Sequence, residues 1–272
     1  MKKLDMKYKL DDLIYSAYNL MLDMRGVDRQ MRELLKTNKE FENAHRGQRC
    51  FILGNGPSLN EMDLSLLHSE KTFVCNYFYK HPQAVACNPK YYVIVDVKLA
   101  DGTWPVSMLD EIRKLFPGIT LLLNAEFHEN PTIQSATEGM QVAWILGGKI
   151  IHPGYRFRPD LTSRIGGDNV TKVALQAAFY MGFTDVHMLG IDGDGLFREL
   201  LGKSSHFYEG ADNLGGQDYE QMILDLWFST EGFRSWKAIA DRYQHSPVNI
   251  YNSGVGGLLN CFPRMPLSAA IK

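Results

Sequence analysis

The sequence predicts a doubly wound α/β fold with a mostly parallel sheet, preceded by a helical hairpin. Three observations carry that prediction. From Cys50 onward, short runs rich in Val, Ile, Leu, Tyr and Phe at 51–53, 72–75, 91–95, 120–123, 186–189 and 248–251 have the length and composition of buried parallel strands. Amphipathic stretches fall between several of them. The clearest are 106–116 and 168–183, the second placing Val170, Val173, Ala174, Ala177, Ala178 and Met181 on one face. Finally, the first strand runs into the glycine-flanked turn Gly54-Asn55-Gly56-Pro57-Ser58, at the carboxyl edge where such sheets hold ligands.

In chain order, residues 1–48 read as a helical extension and 49–272 as one α/β body. Leu10, Leu13, Ile14, Ala17, Met21 and Met24 recur at three-and-four spacing, and 28–45 is charged, with Met31, Leu34 and Leu35 as its apolar stripe. Charges of both signs favour packing of these helices onto the body over a partner or membrane-surface role. The first strand and turn follow. Gly54 and Gly56 can take positive φ and leave N–H groups uncovered, while Ser58 and Glu61 fit a Ser-x-x-Glu capping box opening a helix. A phosphate at that helix start would meet free donors and the positive end of the helix dipole. A tight turn without ligand fits the same residues. The pattern is neither Gly-x-Gly-x-x-Gly nor a Walker loop, which disfavours an ordinary NAD enzyme or P-loop NTPase.

Composition narrows the classes. At 272 residues, 45% hydrophobic and 22% charged, the chain can bury a full core, and a net charge of −2 gives no polyanion-binding signature, so nucleic acid is not expected. Cys50, Cys75, Cys87 and Cys261 lack Cys-x-x-Cys spacing, which argues against zinc and disulfides and suits a reducing, cytoplasmic setting. No apolar run approaches the roughly 20 residues of a membrane span, and no export signal is expected.

The residues that end the strands are polar. Asn55, Asn76 and Asp96 follow the first three, and Asp192 and Asp194 follow the strand at 186–189. Each alone fits a turn cap; four strand ends in register point to a ligand site. A second anion site is expected where Gly166 and Gly167 precede the long helix, with Asn169 and Thr171 at its start and Arg164 as a bidentate donor. Asp168 or Asn169 as a plain cap is the alternative. The glycine- and serine-rich segment 190–216 reads as a mobile loop or lid, and within it His206, between Ser205 and Phe207-Tyr208, is placed as a general base or else as a packing histidine.

These motifs carry a resemblance. Gly54-Asn55-Gly56-Pro57-Ser58-Leu59, Cys75-Asn76-Tyr77-Phe78-Tyr79, and Tyr180-Met181-Gly182-Phe183 with Gly190-Ile191-Asp192 resemble the bacterial sialyltransferases of glycosyltransferase family 42. They also resemble a sister group, the domains related to archaeal 6-hydroxymethylpterin diphosphokinase found in surface-polysaccharide and flagellin-glycosylation settings. To that group Asn169 to Gln176, Ile250-Tyr251-Asn252, Gly256-Gly257 and Phe262-Pro263-Arg264 also find counterparts. The resemblance runs from Arg49 to about Pro266.

It implies a single-domain, Rossmann-like catalytic body at 49–272 that binds a nucleotide-activated sugar, most directly a CMP-linked nonulosonic acid. Inverting transfer to a glycan or glycolipid acceptor hydroxyl would follow. In this picture Gly54, Asn55, Gly56, Ser58, Asn76, Asp96, Gly167, Asn169 and Thr171 bind the donor, while His206, with Asp192 and Arg164, does the chemistry. Peripheral attachment at the inner face of a membrane and assembly as a homo-oligomer are compatible with it. Three departures stand out: Asp96 replaces an asparagine, Gly193-Asp194 replaces a segment carrying a phosphate-binding tyrosine, and His206 aligns beside the catalytic histidine rather than on it. Carboxylates facing a phosphate need a cation, so Asp96, Asp192 and Asp194 would form a Mg²⁺ site if the chain instead transfers pyrophosphate from ATP to a pterin. An inactive scaffold in a glycan-assembly complex is a third reading.

Overall fold

The central strands form where β-branched, leucine and aromatic residues are buried on both sides, and the two edge strands are only partly buried. The strands are β1 (Arg49–Leu53), β2 (Thr72–Cys75), β3 (Tyr91–Ile94), β4 (Thr120–Asn124), β5 (Gln141–Ile145), β6 (Asp185–Leu189) and β7 (Asn249–Asn252) in a computed structural model that describes residues 2–155, 159–208 and 218–272. Among the described residues they make one sheet in the order β5-β4-β3-β2-β1-β6-β7, and every neighbouring pair is parallel. The doubly wound fold is therefore present. The chain walks outward from β1 to β5, then returns across the sheet to β6, so the direction of winding reverses between β1 and β6.

The pleat divides the core. Cys50 and Ile52 face one side, against α6 (Val170–Tyr180) and the C-terminal half of α8 (Tyr219–Tyr243); Phe51 and Leu53 face the other. That second side is covered by short pieces, among them α3 (Ala84–Cys87), α4 (Met108–Leu115), α5 (Pro131–Thr137) and α9 (Leu267–Ala270). Helix α6 is buried almost all round, with Val173, Ala174, Ala177 and Ala178 in the core. Because α6 feeds β6, its N-terminus lies at the carboxyl edge of the sheet. So does the start of α8, whose 25 residues span about 37 Å and overshoot the four-residue strand they lead into.

Strand β5 and helix α8 are not legible as periodic patterns. Strand β5 starts on exposed Gln141 and is an edge strand, while the first half of α8 carries apolar residues around much of its circumference.

The N-terminal segment gives α1 (Lys2–Arg25) and α2 (Arg29–Lys36), docked on different parts of the body. Beyond α2, buried Asn38 donates to the carbonyls of Trp144 (2.6 Å) and Leu161 (2.7 Å) and accepts from the Trp144 N–H (2.9 Å), which ties this segment to edge strand β5. Helix α1 packs on the body as expected, but not through its apolar stripe. It meets the body through polar groups: Asp12 on Arg234 (2.8 Å), Tyr15 on Glu231 (3.2 Å), and Asn19 bonded to both backbone groups of Ile150. Leu10, Leu13, Ile14, Met21 and Met24 face solvent instead. The cause lies in the body surface beneath, where Arg234, Glu231 and the Ile150 peptide demand polar partners.

Candidate functional site

The turn after β1 is already occupied. Gly54 N–H donates to Leu189 O and Gly56 N–H to Gly190 O, both at 2.8 Å, so the parallel pairing of β1 with β6 continues past the strand ends. Ser58 then gives its N–H to Asp192 Oδ2 (3.0 Å) and its hydroxyl to Asp192 Oδ1 (2.5 Å). The expected phosphate cradle holds the protein's own carboxylate. Neither glycine has positive φ: Gly56 sits at −63°, and what it supplies is close approach, since a Cβ there would lie 2.6 Å from Asp192 Cγ. Nor does Ser58 with Glu61 form a capping box; Pro57–Glu61 is one 3₁₀ turn without a side-chain cap. Burial pushes the Asp192 carboxyl above its ordinary value, the two Ser58 bonds oppose that, and nearby Asp194 adds to it.

Next to this seam lie two amides with unmet capacity. Asn55, over nine-tenths buried, donates from Nδ2 to Cys75 O (3.3 Å), and its Oδ1 has no partner. Asn76 follows β2 at φ +49°, its carbonyl held by the Tyr92 hydroxyl (2.7 Å), and its buried Oδ1 is likewise unpartnered. The His206 segment docks on the same edge. Phe207 N–H donates to Asn55 O (3.0 Å), the Phe207 ring stands edge-on to His81 at 4.8 Å, and Tyr208 meets Tyr77 at 5.2 Å. His206 itself lies 2.7 Å from Ser205 Oγ through Nδ1. Within 190–208 the expected lid is thus an anchored loop that includes α7 (Gly195–Leu200); residues 209–216 lie outside the described residues.

The three aspartates do not assemble into a metal site. Asp96 accepts from the Lys98 N–H (3.0 Å) as a turn cap, Asp192 is engaged by Ser58, and Asp194 stands 3.7 Å from Arg198. Among the described residues, no group of three or more His, Cys, Asp or Glu is placed to hold a metal ion. The Mg²⁺ expectation does not fit this arrangement.

The start of α6 forms the second half of the edge. Asn169 is its cap, accepting from Lys172 N–H (3.0 Å) and Thr171 Oγ1 (2.8 Å), and Gly167 turns at φ +148° with its N–H on Lys149 O (3.2 Å). Beside it Lys172 is fully buried. Its ammonium touches Asp168 (2.5 Å), Ser235 Oγ (2.5 Å) and Gly232 O (3.1 Å) above the Trp236 ring, and burial lowers its pKa against the pull of Asp168. A cavity of about 540 Å³ opens here, lined by Gly167, Asp168, Asn169, Gly193, Tyr15, Trp227 and Phe228 among others. Asp192 and Gly193 are consecutive, so the seam and the cavity adjoin.

Arg164 does not join this group. Its Nη1 donates to Gly147 O (2.7 Å), and it lines a separate 420 Å³ cavity with Arg25, Asp28 and Glu126. Sequence reasoning missed the Asp168–Lys172 pair and the aromatic wall from α8. The i,i+4 spacing of Asp168 and Lys172 was the available signal for the first.

Several solved structures resemble this fold at low sequence identity. The sialyltransferase CstII from Campylobacter jejuni, in complex with the substrate analogue cytidine-5'-monophosphate, is 17% identical with a TM-score of 0.48, covering 81% of this chain and 85% of that one. CST-II in complex with a trisaccharide acceptor and CMP gives 15%, 0.48, 82% and 88%. The MAf glycosyltransferase from Magnetospirillum magneticum AMB-1 gives 16% and 0.46, covering 90% of this chain but 39% of that one. No protein-family model matches the chain, and no curated protein matches it in sequence. At these identities and scores, the activities of those proteins are not carried over to this one.

Proposed function

We propose that the chain is a glycosyltransferase of bacterial surface-glycan assembly, taking a nucleotide-activated sugar, specifically a CMP-linked nonulosonic acid, and transferring it with inversion to an acceptor hydroxyl. One observation supports this above the rest: the two buried amide oxygens of Asn55 and Asn76, unpartnered at the carboxyl edge beside the His206 segment. A buried acceptor without a donor costs about 1–3 kcal/mol, so a ligand that brings hydroxyl or amino hydrogens to both gains correspondingly. A sugar or a nucleobase brings such donors. A bare phosphate brings none, and the turn after β1 is filled by Asp192.

In this reading Asn55 and Asn76 orient the donor, and the cavity walled by Trp227 and Phe228 admits the acceptor. The acceptor hydroxyl loses its proton to the His206 imidazole while its oxygen bonds to the anomeric carbon. The bond from that carbon to the phosphate oxygen breaks, and its electron pair leaves with the nucleoside monophosphate. A single displacement of this kind inverts the anomeric centre. Thermal unfolding with CMP, CMP-sialic acid, UDP-glucose and ATP, each with and without Mg²⁺, tests the reading, because a ligand of the folded state alone raises the midpoint. CMP-sialic acid should stabilise more than CMP or ATP. Stabilisation by ATP with Mg²⁺ alone would restore pyrophosphoryl transfer, and no response to any nucleotide would leave the scaffold reading.

A further inference from the structure

We propose that the outward face of α1 seats the protein on an anionic lipid surface. The inference is independent of the reaction in the cleft. It begins with an inverted helix: over 24 residues, about 36 Å, α1 turns its polar side inward and its apolar side to solvent. Met6, Leu10, Leu13, Ile14, Leu20, Met21 and Met24 fall on one side at helical spacing, and their exposures run from 44% to 79%. A continuous apolar stripe of that length is unusual on a surface that meets only water.

Charge chooses the occupant. Of the acidic residues, Asp12 is paired with Arg234 of the body (2.8 Å), Asp11 with Lys7 (2.7 Å) and more distantly with Arg234 (3.9 Å), and the half-exposed Asp23 with Lys149 (2.6 Å), while Asp5 is exposed. Lys9 and Arg25, by contrast, are exposed and make no hydrogen bond or ion pair with the described residues. By the helical period they flank the stripe, one on either side; Lys7, on the Arg25 flank, is already paired with Asp11 (2.7 Å). An apolar face with cationic margins is the pattern of a helix lying in a lipid headgroup layer. A second copy fits less well, since a two-fold contact through this stripe would bring its margin cations against margin cations.

On α8, Ile223, Leu224, Trp227 and Phe228 are exposed, and Trp227, Phe228 and Tyr15 of α1 line the 540 Å³ cavity. Exposed Trp beside apolar residues is the usual composition at a lipid–water boundary. No helix among the described residues is long and apolar enough to cross a membrane, so the contact described is one that lies on the surface.

Vesicle co-sedimentation of the full chain tests this with phosphatidylcholine vesicles and with vesicles that also contain phosphatidylglycerol. The wild type should partition into the second at least tenfold more strongly, a preference that added salt erodes. Lys9→Glu with Arg25→Glu should weaken anionic binding by about fivefold for each cation removed, and more with the reversal of sign. Leu13→Asp with Met21→Asp should abolish it, with an unchanged circular dichroism spectrum because both positions are exposed. Three results overturn the proposal: no binding to either vesicle, equal binding to both, or sedimentation velocity showing a dimer that Leu13→Asp with Met21→Asp dissociates while vesicles are ignored.

Discussion

Asp192 accepts both the backbone N–H and the hydroxyl of Ser58, at 3.0 and 2.5 Å, so the turn after β1 binds a carboxylate from the turn after β6. The two turns meet where the winding of the sheet reverses, the crevice in which such sheets commonly receive a ligand. Here the crevice is sewn by the chain itself. The polar groups left for a ligand are displaced to either side, to Asn55 and Asn76 at the ends of β1 and β2 and to the cavity at the start of α6.

Gly56→Val should act on stability. Its Cβ would fall 2.7 Å from Gly190 O and 2.6 Å from Asp192 Cγ, contacts that force the seam apart. A loss of about 1–3 kcal/mol in unfolding free energy is expected by urea titration. An unchanged midpoint would show that the seam yields freely.

Asp192 makes stability depend on pH in a definite direction. Its folded pKa is raised above the ordinary 3.8, so in the window above 3.8 the native state holds the proton more tightly than the unfolded chain does. Its contribution is full below that window and is lost as pH rises through the folded value. Asp192→Asn should remove this decline, giving a flatter profile than the wild type from 3.8 upward. Parallel profiles for the two proteins would dismiss the assignment.

Asn55→Ala and Asn76→Gly should each weaken CMP-sugar binding by roughly tenfold, the loss of one buried hydrogen bond. Glycine is the proper probe at 76, where φ is +49°. Stability should change little, because each substitution also removes an unpartnered buried oxygen. Calorimetric titration of the donor reads the first effect and denaturation the second. Undiminished affinity in both variants would move the donor elsewhere.

His206→Ala should lower turnover by roughly 10² to 10⁴ while donor affinity is retained. Equal loss of both would make His206 a binding residue, and loss of neither would make it a packing one.

Lys172→Met should cost about 2–4 kcal/mol, because Ser235 Oγ and Gly232 O lose their buried donor and Asp168 loses its counter-charge. Chemical denaturation measures it. A stability-neutral variant would show that the methionine recovers in packing what the ion pair supplied.

The sheet was legible because its strands are buried on both faces and so read as short apolar runs; six of the seven emerge that way. Strand β5 did not, since its exposed edge and polar start break the run. At the site, composition located the strand-end residues but could not say what faced them. Gly54-Asn55-Gly56 has the glycines of an anion cradle, yet whether an open crevice or Asp192 lies opposite is set by the register of β1 with β6, more than 130 residues away. Arg164 failed for a related reason: proximity in sequence to the α6 start did not fix the direction of its guanidinium, which bonds to Gly147. In α1 the apolar period was correctly seen and its destination inverted, because the charges that decide it, Arg234 and Lys149, come from distant segments.

The pairing of β1 with β6 also bears on the order in which the chain can assemble as it is made. Arg49–Leu53 find one neighbour soon, in β2, but the other comes only with Asp185–Leu189. Until that stretch emerges from the ribosome, the central strand of the finished sheet has a bare edge of unpaired N–H and C=O groups, the kind of edge that pairs with other chains. Helix α1, which precedes β1 in the chain, waits longer still, for Glu231 and Arg234. During that interval both its faces are uncovered, and an early lodging place for it, whether a chaperone or a lipid surface, would shield the nascent chain.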